Sequence, residues 1–307
     1  SISFDGRYVS FTSVAGNLVP GVEGGTPQIF VRDTCVGLTA PAQCAARTML
    51  VSQDAAGHPG KGASVQASIS ADGRYVAFDS DAANLIPGPL NGSSSVLLRD
   101  TCLGSSAPAG CLPSTRIVSA PWSGATGDGP SFSPVVNSDG RYVAFVTRAT
   151  NLITGRRTSG QQIALRDTCL GDSAPKDCKP SSSIISTGVS GDIHSPAISA
   201  DGSFVTFIAD DGASSSANST LRGYVRATCT GASSGIACSP HTTMVFVSSP
   251  GKAAALPDHS SQFAIPVSDD GMTLAIFSVT PPSLATGETI TASGLGDVFL
   301  LQFVEAP

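Results

Sequence analysis

Glutamate occurs three times in 307 residues and lysine four times. Helix surfaces are normally built from Glu, Lys, Ala and Leu, so their scarcity argues against helix. Charged residues make up only 13% of the chain, about half the usual share. The arginines are scattered and the net charge is −6, so no basic stripe is offered to nucleic acid. No apolar run approaches the ~20 residues of a membrane-spanning helix. A signal peptide is missing, and so is an initiator Met. The chain begins at Ser1 inside a repeated phrase, and the expectation is a processed piece of a longer precursor. Catalytic signals are thin as well. The four histidines, His58, His194, His241 and His259, do not define a Ser-His-Asp triad. No HExxH and no phosphate-binding glycine motif appears, so neither a metal nor a cofactor is called for.

What the chain has in quantity is Gly (33) and Pro (21), with much Ser, Thr, Val and Asp. Short strands and tight turns use these residues. They are also ordered. "SISFDGRYVSFTS" opens the chain, "SADGRYVAFDS" follows from Ser70 and "NSDGRYVAFVT" from Asn137. The Asp of each Asp-Gly pair falls at Asp5, Asp72, Asp139, Asp201 and Asp270, at intervals of 67, 67, 62 and 69 residues. A second phrase keeps step: "IFVRDTC", "VLLRDTC", "IALRDTC" and "GYVRATC", then "DVFLLQF" without its Cys. A third, "NLVPG", "NLIPG" and "NLITG", is lost from the last two units.

Each unit reads as four short strands. Strand A ends at "ASIS" or "PAIS". Asp-Gly then signals a hairpin turn. Strand B, "RYVAF", alternates Tyr75 and Ala77 against Val76 and Phe78. Strand C is "VLLRD" and strand D is "TRIVS" or its equivalents. Four antiparallel strands per unit, repeated, predict a β-propeller; solenoid repeats are typically shorter than ~50 residues. The expectation is therefore an all-β fold, with residues 1–307 as one propeller domain. Its five units would cover 1–62, 63–128, 129–191, 192–258 and 259–307. The first lacks most of strand A and the last lacks strand D, so closure of a ring is left open.

These phrases resemble the TolB-type (WD-like) β-propeller repeat, with its "S-x-DG-x-x-[VI]-A-F-x-S" core. The subtype reads roughly "SxDGRYVAFxSxAxNLVPG…DVFVRD". The likeness spans the chain as five units and is strongest in the first three. It implies a bacterial propeller of secreted or cell-envelope proteins, usually without catalysis and often joined to other modules. The subtype often carries an acidic "GDTNG" after "NLVP". Here "GVEGG", "GPLNG" and "GRRTSG" stand instead, which removes the expected cation-binding Asp.

The eight cysteines form four pairs of spacing C-x8-C: Cys35/Cys44, Cys102/Cys111, Cys169/Cys178 and Cys229/Cys238. Eight cysteines allow 105 pairings. The repeat selects one, because each structural copy carries its own pair. Zinc sites need closer pairs or nearby His. Four regular disulfides point to an oxidising compartment: periplasm, cell surface or medium.

In antiparallel blades the loops alternate between two ends. The A–B turns and the Cys-bearing C–D loops share one end, where the repeated, architecture-setting residues are expected. The B–C and D–A loops share the other, where the units differ, and variable loops on rigid scaffolds are where binding is usual. The candidate ligand-binding residues lie there: His58, Trp122, Asp128, Asp192, His194, Asp258 and His259. With Asp54, the aspartates would ring a channel mouth. Such a ring would bind a cation or supply the two carboxylates of a glycosidase, although Asp is common in turns anyway. Trp122, the only Trp, is either a binding anchor or a packed aromatic. The repeated Asp-Gly and Arg-Asp pairs read as scaffold, the latter as an ion pair or backbone clamp within each blade.

Together these features predict a non-enzymatic extracellular scaffold or recognition module for a protein or glycan. A carbohydrate-active hydrolase is the second reading. A structural subunit that self-associates into a cell-surface assembly or filament is the third.

Overall fold

The computed structural model describes residues 1–88, 92–121, 126–153, 160–210, 221–230, 238–247, 265–269, 273–278, 283–284 and 297–302. All regular structure among them is strand. None of the described residues forms a helix long and apolar enough to cross a membrane.

The strands group into successive antiparallel sheets. The first holds β1 (Tyr8–Ser13), β2 (Gln28–Asp33) and β3 (Arg47–Leu50). Its strand A survives only as a bridge between Ile2 and Val9, so the first unit is incomplete as expected. The second is complete: β4 (Ser64–Ile69), β5 (Tyr75–Ser80), β6 (Ser95–Asp100) and β7 (Ser114–Ile117), in sequence order. The third repeats it with β8 (Ser131–Val136), β9 (Tyr142–Thr147), β10 (Gln162–Asp167) and β11 (Ser181–Ile184). The fourth runs β12 (Asp192–Ile198), β13 (Phe204–Asp210), β14 (Leu221–Ala227) and β15 (His241–Val247). In the last unit β16 (Thr273–Ser278) pairs with β18 (Asp297–Gln302), and Val267 bridges Leu274 as a remnant of strand A. Up-and-down four-stranded sheets at this period are the blades of a β-propeller. One feature departs from the repeat: β17 (Ser283–Leu284) leaves its own unit and adds a fifth strand to the edge of β15.

The chain forms two compact bodies. One comprises Ser1–Ser159 with Leu165–Ser183, and the other Gly160–Ala164 with Ile184–Pro307.

Within the first body, β5 is buried at all six positions. The period-2 pattern is present, but both faces are covered. Val76 and Phe78 join Tyr8, Ile29, Val31 and Val51 of the preceding blade in one apolar cluster. Tyr75 lies on the opposite face, over Gly140 of the following blade. The contacts recur at the repeat distance. Phe4 N–H donates to Ala71 O at 2.8 Å, and Ala71 N–H to Ser138 O at 2.9 Å. Ile69 N–H donates to Ser1 Oγ and Val136 N–H to Ser68 Oγ. The Tyr8 ring sits where a Cβ on Gly73 would have to be, and Tyr75 does the same to Gly140. Both glycines have positive φ, +85° and +83°, so the turn and the neighbouring blade each demand Gly there.

Strands β4, β8 and β12 each carry a register shift. At its centre Gln66, Ser133 or Ser195 adopts a left-handed φ of 52–56°. These are bulges that bend strand A.

Candidate functional site

At the end of the A–B turns and C–D loops, repeated residues lock each blade. Asp72 Oδ1 accepts from Ser70 Oγ and Arg74 N–H, which fixes the turn. Arg74 then reaches the end of strand C and pairs with Asp100 at 2.9 Å, while its Nη1 donates to Ser106 O at 2.8 Å. Its guanidinium also covers the Tyr75 ring, 4.8 Å from the centroid. Arg7–Asp33 and Arg141–Asp167 repeat the arrangement at 2.9 and 3.1 Å. Burial works against the Asp33 charge, but Arg7 and the Cys35 N–H hold its carboxyl below the usual range. The ion pair therefore differs from the one suggested by the adjacent Arg-Asp dipeptide. Neighbours in a strand point to opposite faces, so Arg99 cannot serve Asp100. Arg99 donates instead to Thr115 Oγ1 and Gln53 O.

The cysteines are bridged as expected: Cys35–Cys44, Cys102–Cys111, Cys169–Cys178 and Cys229–Cys238, each nine residues apart and within its own unit. The four bridges differ in exposure. Cys44, Cys111 and Cys178 are half-buried, whereas Cys238 is exposed. In the first three units the second sulfur packs 3.7–3.9 Å from Asp33, Asp100 or Asp167. In the fourth unit Ala227 stands at that position. Asp33, Asp100 and Asp167 each lie close to both sulfurs of their bridge. A disulfide offers no thiolate, so these clusters are not metal sites.

The opposite end carries the candidate binding residues. A groove of about 380 Å³ is bounded by Val19, Pro20 and Val22 of the first B–C loop, by Thr48–Leu50, and by Gln53, His58 and Pro59 of the D–A loop. Its lining is apolar apart from Thr48, Gln53 and His58. Asp54 shapes the D–A loop: its Oδ1 accepts from Ala56 N–H and His58 N–H, both at 2.9 Å. Its Oδ2 lies 3.3 Å from His58 Nδ1. The His58 N–H, with the Ala56 N–H, Asn84 and the His58 ring, holds the Asp54 carboxyl below its ordinary range.

Asp128 is equally occupied. It accepts from the Thr150 N–H and hydroxyl, both at 2.6 Å. Burial opposes its charge, but these bonds keep its pKa low. Its own N–H donates to Asn151 Oδ1, as Lys61 N–H does to Asn84 Oδ1. Asp128 is thus the counterpart of Lys61, not of Asp54. The Asn of "NLIPG" ties the B–C loop to the D–A loop, so architecture-setting residues lie at this end too, contrary to expectation. In the second body, Asp192 is exposed at the start of β12 opposite Asp210, and His194 Nδ1 lies 2.9 Å from Ser195 Oγ at the bulge. Of the candidates described, the structure brings together His58 and its neighbour Asp54. Trp122, Asp258 and His259 lie outside the described residues.

Sequence reasoning missed Asp79. It stands in mid-strand β5, where the other units have Thr12, Val146 and Ile208, and only 4% of its surface is exposed. Ser94 Oγ donates to its Oδ2 at 3.2 Å, and Ser133 N–H to its Oδ1 at 3.3 Å. Ser133 is shared with Gln66 Oε1, so two bulges meet at this carboxyl. Burial raises its pKa to about 7, against the pull of those donors. The available signal was a carboxyl breaking a repeat at an inward position.

No family model matches the chain, and no curated relative does. Among solved structures, the chain is similar to the β-propeller domain of the trilobed protease from Pyrococcus furiosus, which has an open velcro topology. That likeness is 10% identical, covers 98% of this chain and 67% of that one, and has a TM-score of 0.46. It is also similar to the tricorn protease, at 10% identity over 91% of this chain and 26% of that one, with a TM-score of 0.43. The chain thus spans about a quarter of the tricorn protease, and neither likeness assigns it a family or an activity.

Proposed function

We propose that the protein is a recognition module that binds a protein partner through its B–C/D–A end. The observation that carries this reading is the groove beside His58, built from the B–C loop, strand D and D–A loop of the first unit. Apolar side chains with a few polar groups at the rim suit an apolar side chain of a peptide segment. The groove's lining holds no aromatic platform, so a protein partner is favoured over a glycan. Asp54 and Asp128 spend their oxygens on loop backbone and neighbouring side chains, which speaks against their serving as a hydrolase pair. The repeated phrases support a TolB-type propeller, and four disulfides support an oxidising, extracellular or cell-envelope setting.

The test is a displayed library of random peptides panned against the folded protein, with a glycan array in parallel. Selected peptides should lose at least tenfold in affinity to Met49→Glu and His58→Ala variants that keep the parent melting temperature. Peptides insensitive to both variants, or binding confined to the glycan array, would overturn the reading.

A further inference from the structure

The groove beside His58 runs along the edge of a strand. Among the described residues β3 has a sheet neighbour on one side only, β2. Val51 N–H donates to Ile29 O, and the register continues with Met49 opposite Val31 and Arg47 opposite Asp33. Bonded pairs alternate along an antiparallel ladder. Arg47 and Met49 therefore turn their N–H and C=O to β2, and Thr48 and Leu50 turn theirs outward. Side chains alternate between faces as well. Leu50 packs with Val22 and Phe30 on one face, with Val19 beside them, while Met49 packs on the cluster of Ile29, Val31 and Val51 on the other. Yet Thr48, Met49 and Leu50 all line the groove. A hollow reached from both faces of one strand lies at its edge, over the outward N–H and C=O groups.

Two further observations indicate what fits there. The counterpart edge in the fourth unit, β15, already holds an extended segment. There β17 pairs antiparallel, with Leu284 opposite Phe246 and Ser283 opposite Val247. The corresponding edges of the second and third units are polar where β3 is not. Arg116 of β7 and Ser183 of β11 stand at the position of Met49, and both are exposed. A charge on an edge discourages the addition of a strand, and β3 has a methionine in its place.

We infer, on the groove reading above, that an extended segment of the partner protein adds to the edge of β3 as an antiparallel strand. Its main chain exchanges hydrogen bonds with Thr48 and Leu50. Its residues opposite those two place their side chains on the Leu50 face, against Val19 and Val22, and are apolar. Affinity thus comes from the backbone and selectivity from alternate side chains.

The probes are short capped peptides in which Val, Ile, Leu or Phe alternates with Ser. In the free protein, amide exchange at Thr48 and Leu50 should be faster than at Met49. A binding peptide should slow both and leave Met49 unchanged. N-methylation of the peptide should cost about tenfold in affinity at alternate positions, the worth of a lost hydrogen bond, and little at those between. Proline is tolerated on an edge strand where its nitrogen faces outward. Thr48→Pro should therefore keep the fold and weaken binding about tenfold, whereas Thr48→Val, which retains the N–H, should bind as the parent does. Slow exchange at Thr48 and Leu50 already in the free protein would overturn the inference, because a segment of this chain or a second copy would then hold the edge. Peptides that bind without slowing that exchange, or whose methyl scan shows no alternation, would overturn it too. If such peptides still lose affinity to His58→Ala, the groove reading stands. Failure of every peptide in the set to bind would also overturn the added strand, and the panned library would then decide the groove reading by itself.

Discussion

Single residues show how the repeat is enforced and where it is set aside. In the fourth unit Ser203 replaces the turn arginine and Ala227 replaces the strand-end aspartate. Both partners of the ion pair are gone together. Losing one alone would strand a half-buried charge, which costs more than losing both. Ser203 instead donates to Thr230 O and Asp201. Asp79 is the opposite case, a charge-bearing group added where the neighbouring units have Thr12 and Val146. Its folded pKa of about 7 lies above the ~3.9 of a free aspartate. Between these values the folded protein holds a proton that the unfolded chain has released. Stability should therefore fall as pH rises from about 4 to about 7, then level off. Asp79→Asn should abolish that slope and leave the protein near wild type at pH 3.5. At pH 8 it should be more stable, by on the order of 2–4 kcal/mol. Urea melts at the two pH values decide the matter, and a variant weaker at both would mean that the carboxylate itself is required.

Elements were legible where local chemistry repeats and obscure where a neighbour decides. The Asp-Gly turns, the B and C strands and the cysteine pairs could all be read, because each depends on its own few residues. The exposure of Cys238 could not, because its pair has the same C-x8-C spacing as the other three. Burial of β5 on both faces was equally hidden, since alternation alone does not say what covers the second face. So were the bulges: Gln66, Ser133 and Ser195 carry no signature of a left-handed φ, which the packed inner strands impose. The two residues of β17 have no pattern at all and were recruited by the open edge of β15. Gly140→Val tests the blade contact. It combines strain of roughly 1–3 kcal/mol at positive φ with a clash against Tyr75 costing a similar 1–3 kcal/mol. A combined loss of at least about 3 kcal/mol in denaturant melts is expected. Relief of part of that loss by Tyr75→Ala would assign the remainder to the ring, and a loss no larger than for an ordinary surface substitution would refute the packing.

At the scale of the whole molecule, the propeller class was readable from the period. The candidate site was readable only as a set of loops. His58 and Asp54 meet because one short loop holds both, whereas Asp128 matches Lys61 rather than Asp54, because these two D–A loops keep the 67-residue register and Pro121 stands at the Asp54 position. Asp79 had no motif to announce it. Each disulfide closes a loop of about ten residues, and the chain-entropy estimate is roughly 2–3 kcal/mol. Cys102→Ser with Cys111→Ser should lower the melting temperature by about 4–10 °C without altering the other three bridges in a peptide map. An unchanged melting temperature would remove their structural role. The nine-residue spacing of all four pairs also bears on how the chain matures. Contact across so short a loop forms in about 10–100 ns, long before a cysteine of another unit has been made or has diffused into reach. Each thiol thus meets its proper mate first, whatever the order in which the units emerge. Oxidation of this chain should need an electron acceptor, but no enzyme to reshuffle mistakes.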